Sequence, residues 1–355
     1  MPIVEILQCN SYQPEDLRSV ASALGSPQSP LAGSLNAGET ILIKPDLSPM
    51  WGHHVEAVAS AGLITAVGTL ASDNGCSIVL GDTRPDSAWH LWHRVRGMLF
   101  DRLEGTITGR KHSTVDPIYR AILNLKTFDQ LFDRTVPQLG ECPVSKEELE
   151  KDREELFYGS TGMAAAATAC GARLAFFELE GFTDCTPAAP RFFNTVPLAS
   201  AAASAGRTIL MPKLKTWGAN WFAGAVSGVF TLVPAAMRDT YQTTSGLAGM
   251  YGEMLADILG CLKNRPAVVS DAIEGLAPEG KRFRPGLVLV SDDCVAHDAV
   301  MARLLDIDPM KVAEIAAAYR AGSGEARLER IDIRGTGLEQ ARQIMTRART
   351  EAAHG

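Results

Sequence analysis

The chain has 355 residues, 46% of them hydrophobic, which is enough for one large domain or two smaller ones around a substantial core. Its formal net charge at pH 7 is −7. That charge argues against a nucleic-acid partner, because proteins that bind nucleic acid normally present a basic face. The N-terminal sequence MPIVEILQC contains neither a basic region nor a long apolar one. We therefore expect no secretory signal and a cytoplasmic location.

The seven cysteines stand singly, with no Cys-x-x-Cys pair. This spacing predicts neither a disulfide framework nor a local zinc or iron–sulfur site, and it is typical of buried thiols in a reducing compartment. Residues 216–237 carry no charge and are long enough to cross a bilayer, which takes about 20 apolar residues. Because Asn220, Pro234 and three glycines interrupt this stretch, we interpret it as a buried loop and helix and expect no membrane partner.

Apolar runs of strand length alternate with helical patterns along most of the chain. The strands are predicted at Ile3–Leu7, Glu39–Lys44, Cys76–Leu80, Ala172–Glu178, Thr208–Met211, Ala267–Ser270, Leu287–Val290 and Leu328–Ile333. The helices are predicted at Pro14–Leu24, His54–Ala71, Leu198–Ala205, Leu247–Lys263, Asp293–Leu305, from Pro309 to Gly322, and at Thr336–Thr350. This order predicts the α/β class, with a mostly parallel sheet flanked by helices.

The alternation is interrupted by a region that we interpret as a mainly helical insertion or lid. The α/β core is placed at residues 1–83 and 199–355, and the insertion, with a return to the core sheet, at residues 84–198. Helices are predicted there at Ser87–Leu103, Ile118–Phe132 and Val144–Leu156. His90 and His93 lie three residues apart in the insertion, which also contains His112. No acidic third ligand has matching spacing, so these histidines are expected to be exposed and no metal site is predicted.

Charged residues follow five of the predicted strands. They are Lys44-Pro45-Asp46, Gly81-Asp82, Pro212-Lys213, Asp271 and Ser291-Asp292-Asp293. Ligands of open α/β sheets bind outside the carboxyl ends of the strands. We therefore predict that Lys44, Asp82, Lys213 and Asp271 meet around one hollow. The alternative is that Asp82 and Asp271 each cap the turn or helix that follows.

Two lysines, Lys213 and Lys215, directly precede the uncharged, Gly-rich segment at residues 216–237. Backbone can approach a ligand closely at glycines, and ammonium groups supply countercharge, so this pattern predicts an anion pocket. The plainer alternative is a surface-exposed lysine pair followed by a core helix. Further along, His297 and Asp298 are neighbours on a predicted helix. Adjacent helical side chains point in different directions, so we predict that these two do not form a dyad, although one of them can face the strand ends.

Six strings occur in an order that is similar to a known family. They are ILIKPDL at Ile41–Leu47, IVLGDTRP at Ile78–Pro85, ILMPKLKTW at Ile209–Trp217, FAGAVSGVFTLVP at Phe222–Pro234, VVSDAIEG at Val268–Gly275 and GLVLVSDDCVAHDAV at Gly286–Val300. Together they resemble the family called domain of unknown function 362, over nearly the whole chain outside Arg84–Leu198. The positions that match its pattern are Lys44, Asp82, Lys213, Lys215, Asp271 and Asp298.

The resemblance also implies departures from the family. Its pattern typically has Asn at the position of Asp46, His at that of Trp217, and Lys-Asn near Ser227-Gly228, so the site here has one imidazole and one cation fewer. Family members frequently carry a ferredoxin-type iron–sulfur module, which the singly spaced cysteines do not provide. The strand-end layout is similar, at the level of fold, to the N-terminal part of lactate racemases, which isomerise by hydride shuttling on a nickel pincer cofactor.

The predicted function is that of an enzyme acting on a small anionic, carboxylate- or phosphate-bearing metabolite, by proton transfer, isomerisation or redox chemistry in biosynthesis. The catalytic candidates are Lys44, Asp82, Lys213 and Asp271, and the substrate-binding candidates are Lys215, Trp217, Asp46, Arg84, His297 and Asp298. In this hypothesis Lys213 and Lys215 bind the anion, Lys44 assists or acts as a base, and Asp82 or Asp271 moves a proton.

The alternative is an accessory protein that binds a cofactor or metal, with Asp82, Asp271 and Asp292 as ligands of a hard cation. No strand is followed by a glycine fingerprint for NAD or ATP, or by a Gly-x-Ser-x-Gly elbow, so no cofactor is named and a serine hydrolase of that type is not indicated. Besides the anionic metabolite, a second copy of the chain in a homodimer is the partner left open.

Overall fold

The computed structural model describes residues 1–47, 58–83, 158–159, 161–217, 221–277 and 281–354. The chain divides into two units, one formed by Met1–Thr83 with Phe157–Gly355 and the other by Arg84–Leu156. All of the second unit lies outside the described residues. The three helices predicted there, the histidines His90, His93 and His112, and Arg84 are therefore not described.

The first unit is built around one large sheet. Its strands, with a smaller sheet formed by β5 and β6, are β1 (Ile3–Gln8), β2 (Thr40–Pro45), β3 (Ser77–Asp82), β4 (Arg173–Phe176), β5 (Phe182–Cys185), β6 (Val196–Ala199), β7 (Arg207–Met211), β8 (Lys213–Trp217), β9 (Trp221–Phe222), β10 (Ala267–Leu276), β11 (Arg282–Phe283), β12 (Leu287–Ser291) and β13 (Asp332–Gly335). The order in the large sheet is β13-β1-β12-β10-β7-β2-β3-β4, with β8 and β11 beside β10 and β9 beside β8. Its pairs are parallel except those of β12 with β1 and β10, β11 with β10, and β9 with β8. The predicted fold class is confirmed.

Helices cover both faces of the sheet. They are α1 (Pro14–Leu24), α2 (Ala61–Asp73), α3 (Met163–Cys170), α4 (Phe177–Glu180), α5 (Ser200–Ser204), α6 (Ala225–Gly228), α7 (Ala235–Leu247), α8 (Tyr251–Leu259), α9 (Cys294–Leu304), α10 (Ala313–Arg320) and α11 (Leu338–His354). Short 3₁₀ turns occur at Ala32–Ser34, Val229–Leu232, Pro309–Lys311 and Leu328–Arg330. Within the described ranges, none of the helices combines the length and the apolar character that crossing a bilayer requires.

Each central strand buries both of its faces. In β2, Ile41 and Ile43 pack into the core with α1, α2 and α3, whereas Leu42 packs into the core with α8, α9, α10 and α11. A strand covered on both sides is a continuous apolar run rather than an alternating one. That is why these strands can be recognised in the sequence.

The predicted βαβ unit is present as β2, α2 and β3, with Ile41 opposite Ile78 in parallel register. Helix α1 has the predicted bounds and begins with Pro14, whose missing N–H has no partner to lose at that position. Gly75 follows α2 with a φ of 76°, the left-handed conformation that commonly ends a helix. The start of α2 differs: residues 58–60 are not helical, and the helix begins at Ala61 rather than His54.

Strand β7 ends at Met211 as predicted, and after Pro212 the chain continues as β8 beside β10. Two other strand ends differ from the prediction. Strand β10 has ten residues, so Asp271 lies in mid-strand. Strand β12 is antiparallel to β10, so its carboxyl end, with Asp292 and Asp293, lies at the edge opposite to the carboxyl ends of β2 and β3.

The helices on either side of Gly249 and the last strand also differ from the prediction. The helix predicted at Leu247–Lys263 is shorter, since α8 ends at Leu259, and Gly249 with a φ of 66° separates it from α7. Helix α7 is missing from the prediction because its sequence, AAMRDTYQTTSGL, has no continuous apolar stripe. The last strand begins at Asp332 instead of Leu328, because Leu328–Arg330 forms a 3₁₀ turn.

Candidate active site

The carboxyl ends of several strands meet at one edge of the sheet. Strands β10, β7, β2 and β3 are consecutive neighbours and run in the same direction. Lys44 lies at the end of β2 and Asp82 at the end of β3, while Lys213 begins β8 opposite Asp271 of β10. The structure therefore brings the four predicted catalytic residues to the same edge, as the parallel arrangement requires.

Each of the three lysines that the structure describes at this edge is paired with an aspartate. The pairs, with their nitrogen–oxygen distances, are Lys44–Asp82 at 3.0 Å, Lys213–Asp271 at 3.1 Å and Lys215–Asp46 at 2.8 Å. Asp46 is 14% exposed, and the other five side chains are at most 3% exposed. The alternative of surface-exposed lysines is wrong, because the lysine side chains are buried in ion pairs. We call the six residues the ion-pair row.

The ion-pair row extends across the sheet. From β10 to β3 there are three strand spacings of about 4.8 Å, so the row spans about 14 Å. Lys215 is the central cation, because it follows Lys213 by two residues in β8 and pairs with Asp46, which follows β2. Three lysines and three aspartates leave the row without net charge.

The carboxylate of Asp82 also accepts hydrogen bonds from three residues besides its ion-pair partner. Its Oδ1 accepts hydrogen bonds from the Thr231 hydroxyl at 2.6 Å and from the Thr83 N–H at 2.8 Å, and its Oδ2 accepts one from the Leu47 N–H at 3.3 Å. The hydroxyl of Thr83 donates to the carbonyl oxygen of Thr231. Asp82 therefore binds Leu47 after β2 and Thr231 in the 3₁₀ turn Val229–Leu232, and it pairs with Lys44 at the same time.

The carboxylate of Asp271 binds groups from three separate segments. Its Oδ1 accepts from the Tyr12 hydroxyl at 2.8 Å and from the Ile273 N–H at 3.3 Å, and its Oδ2 accepts from the Ser60 N–H at 3.0 Å. Tyr12 is not among the predicted residues. The strand-end rule applied to β1, which has the direction of β10, would have found it, since Tyr12 follows β1 by four residues.

Burial changes the ionisation of Lys215. It lowers the pKa of this ammonium below its usual 10.5, against the opposing effect of Asp46. A lysine with a lowered pKa gives up its proton more readily at neutral pH, which suits a group that exchanges protons with a ligand.

The pH dependence of stability is expected to report this shift. Between the lowered pKa and about 10.4 the unfolded chain binds more protons at Lys215 than the folded protein does, so stability from this group rises with pH across that window. The free energy of unfolding of the wild type, minus that of Lys215→Met, should increase when urea denaturation is repeated at pH values that rise toward about 10. A difference that stays constant or falls would contradict the lowered pKa.

The predicted metal ligands do not come together. Val288 lies opposite Asp271 in the β10–β12 pair, so Asp292, four residues further along β12, is about 13 Å from it along the strands. The Asp292 carboxylate accepts a hydrogen bond from the Ile3 N–H instead. Among the described residues no group of three His, Cys, Asp or Glu side chains could hold a metal ion. The ligand set Asp82, Asp271 and Asp292 is wrong.

His297 and Asp298 contact each other, so the prediction that these two side chains do not form a dyad is wrong. Nδ1 of His297 is 2.8 Å from Oδ1 of Asp298. Asp298 also accepts from the N–H groups of Ala225 and Val226 at 2.8 Å each, and it thereby caps α6. Nε2 of His297 is buried without a hydrogen-bond partner in the described structure.

The remaining predicted residues stay predictions. Trp217 ends β8 opposite Trp221 in β9, and Arg84 lies outside the described residues.

A cleft of about 260 Å³ lies beyond the ends of α8 and α10, where its lining includes Lys263, Arg265 and Ser323. Among the predicted site residues that the structure describes, none lines this cleft. Geometry and buried charge therefore make the ion-pair row the better candidate site.

Two comparisons relate the chain to known proteins. A family model described as "Domain of unknown function (DUF362)" matches residues 125–303, just over half of the chain. The match contains the four strings from Ile209 onward and omits those around Lys44 and Asp82. The thylakoid-associated protein sll1697 of Synechocystis sp. (strain ATCC 27184 / PCC 6803 / Kazusa) is 30% identical over 134 residues, 37% of this chain and 42% of that protein. The alignment thus spans less than half of the relative, and the cytoplasmic location of this chain stays a prediction.

Proposed function

Since the chain belongs to the family described as domain of unknown function DUF362, whose description assigns no activity, we propose from the site itself that it is an enzyme acting on a small carboxylate- or phosphate-bearing metabolite. The ion-pair row is the proposed active site. The proposed chemistry is proton transfer or isomerisation, because lysine and carboxylate side chains are proton carriers.

One observation carries this proposal: three lysines are buried with three aspartates at the edge where α/β proteins bind ligands. Removing an ion from water costs several kcal/mol even after the protein relaxes, and well-packed apolar residues of similar volume are often as stabilising as a buried pair or more so. Packing alone therefore does not call for three pairs in a row. Buried, mutually interacting ionisable groups are concentrated at functional sites.

The centre of the row is the proposed binding position. Asp46 is the most exposed of the six side chains and follows β2 directly. An incoming carboxylate or phosphate would replace the Asp46 carboxylate beside Lys215, so that one anion is exchanged for another. Lys44 and Lys213 would flank the ligand on either side, while Asp82 and Asp271 keep these two lysines in place.

Anion binding tests the proposal. We expect inorganic phosphate or malonate to bind the wild-type protein in a calorimetric titration at low ionic strength. Lys215→Met should weaken binding about tenfold or more, because a charge-assisted contact is lost, and Asp46→Asn should strengthen it, because the competing carboxylate is gone.

The matched control is Lys263→Met, which removes an exposed lysine whose Nζ donates to the carbonyl oxygen of Ser204. This variant should bind both anions as the wild type does. Equal binding by the wild type and Lys215→Met, or no binding of either anion to Asp46→Asn, would overturn the proposal.

A further inference from the structure

Tyr12 lies against one end of the ion-pair row. Strands β1 and β10 are both antiparallel to β12, so the loop that follows β1 reaches the same edge of the sheet as Asp271. The peptide N–H of Ser60 reaches the other oxygen of that carboxylate. Tyr12 is thus the described side chain that approaches the Lys213–Asp271 pair from outside the sheet.

The Tyr12 hydroxyl binds both members of this pair. It donates a hydrogen bond to Oδ1 of Asp271 at 2.8 Å and accepts one from Nζ of Lys213 at 2.5 Å. The same Nζ is 5.1 Å from the centroid of the Tyr12 ring. An ammonium group, a hydroxyl group and a carboxylate therefore form a closed set of hydrogen-bonding partners.

Access to this set differs between its members. Lys213 is 2% exposed and Asp271 is not exposed at all, whereas Tyr12 is half-buried. A bound ligand or a solvent molecule can thus reach the Tyr12 side chain more easily than either ion. We propose that Tyr12 is the proton-transfer residue of this site and carries protons between the Lys213–Asp271 pair and the ligand. The part of this inference that concerns a ligand rests on the proposed function.

The transfer is balanced without any further reactant. The Tyr12 O–H bond breaks, its electron pair stays on the phenolic oxygen, and the proton forms a new bond to a basic oxygen or carbon of the ligand. Lys213 then gives a proton to the phenolate, and the neutral amine regains one when the sequence runs in reverse or solvent enters. Burial, together with the charge of Asp271, raises the pKa of Tyr12, so the resting group is the protonated phenol.

Proton exchange at Lys213 tests the inference without a known substrate. In protein labelled with ¹⁵N at the lysine Nζ atoms, NMR measures how fast each ammonium group exchanges with water. Tyr12→Phe keeps the ring and removes the hydroxyl. If the phenol is the path for protons, Lys213 should exchange at least about tenfold more slowly in this variant.

Internal controls separate this role from simple covering of the pair. Lys44, which pairs with Asp82 at the far end of the row, should exchange at the same rate in both proteins, and a backbone amide spectrum checks that the fold is kept. Tyr12→His restores a proton carrier and should recover part of the rate. Unchanged or faster exchange of Lys213 in Tyr12→Phe would overturn the inference. Phosphate titrations of the same variants are independent of this result, so failure of the anion site can be told apart from failure of the relay.

Discussion

Asp271→Asn is expected to lower the free energy of unfolding by about 3–5 kcal/mol, as is typical when one partner of a buried ion pair is removed. The substitution preserves the size of the side chain but leaves the Lys213 ammonium, 2% exposed, without its countercharge. It also weakens the hydrogen bonds that the carboxylate accepts from Tyr12 and from the Ser60 N–H. Urea denaturation of the purified variant measures the loss.

Two variants control this prediction. In the double variant Lys213→Met with Asp271→Asn no uncompensated charge remains, so it should regain a large part of the loss. Glu180→Gln breaks the ion pair between Glu180, 30% exposed, and Arg173, 56% exposed. This variant should lose less than about 1 kcal/mol of unfolding free energy. A loss at Asp271→Asn no larger than that at Glu180→Gln would show that burial of the pair contributes nothing.

Gly81→Ala is expected to destabilise the protein by about 1–3 kcal/mol or more, the usual cost of forcing a methyl group into a packed site. A Cβ atom at Gly81 would lie 2.6 Å from the carbonyl oxygen of Ala175 and 2.8 Å from the ring of Phe177. Ala175 is the register partner of Gly81 in the β3–β4 pair, so relief requires strand separation. Because Asp82 follows directly, the Lys44–Asp82 pair should be displaced too.

The control is Gly246→Ala in α7, where a Cβ atom would meet nothing within 4 Å. Alanine in a helix interior is more favourable than glycine by about 0.5–1 kcal/mol, so this variant should be slightly more stable. Thermal unfolding of both variants makes the comparison. If Gly81→Ala unfolds at the wild-type temperature, β3 and β4 are not packed as described.

The strand-end residues could be placed from the sequence because parallel strands share an edge. Lys44, Asp82 and Lys213 each come at the boundary of a continuous apolar run, and such runs are readable without tertiary information. The edge at which Asp292 lies could not be placed in this way, because an apolar run does not show the direction of its strand. The antiparallel β12 takes that carboxylate to the opposite edge.

Contacts between distant segments were beyond sequence reasoning. The strand order β10-β7-β2-β3 decides which aspartate forms an ion pair with which lysine. Tyr12 contacts Asp271 although the two residues are 259 positions apart in the chain. The contact of His297 with Asp298 is local but depends on side-chain rotamers, which packing selects. The similarity to lactate racemases and the anionic substrate stay predictions.

The order of apolar runs and polar breaks in this chain by itself determined the α/β class, the βαβ unit and the location of the charged residues at strand ends, since periodicity and turn chemistry act over a few residues. Only the tertiary structure decided that three lysines are neutralised by three aspartates, that a tyrosine from the first loop joins them, and that β12 runs the other way. Those outcomes depend on strand order and burial, which arise from the whole chain packing at once.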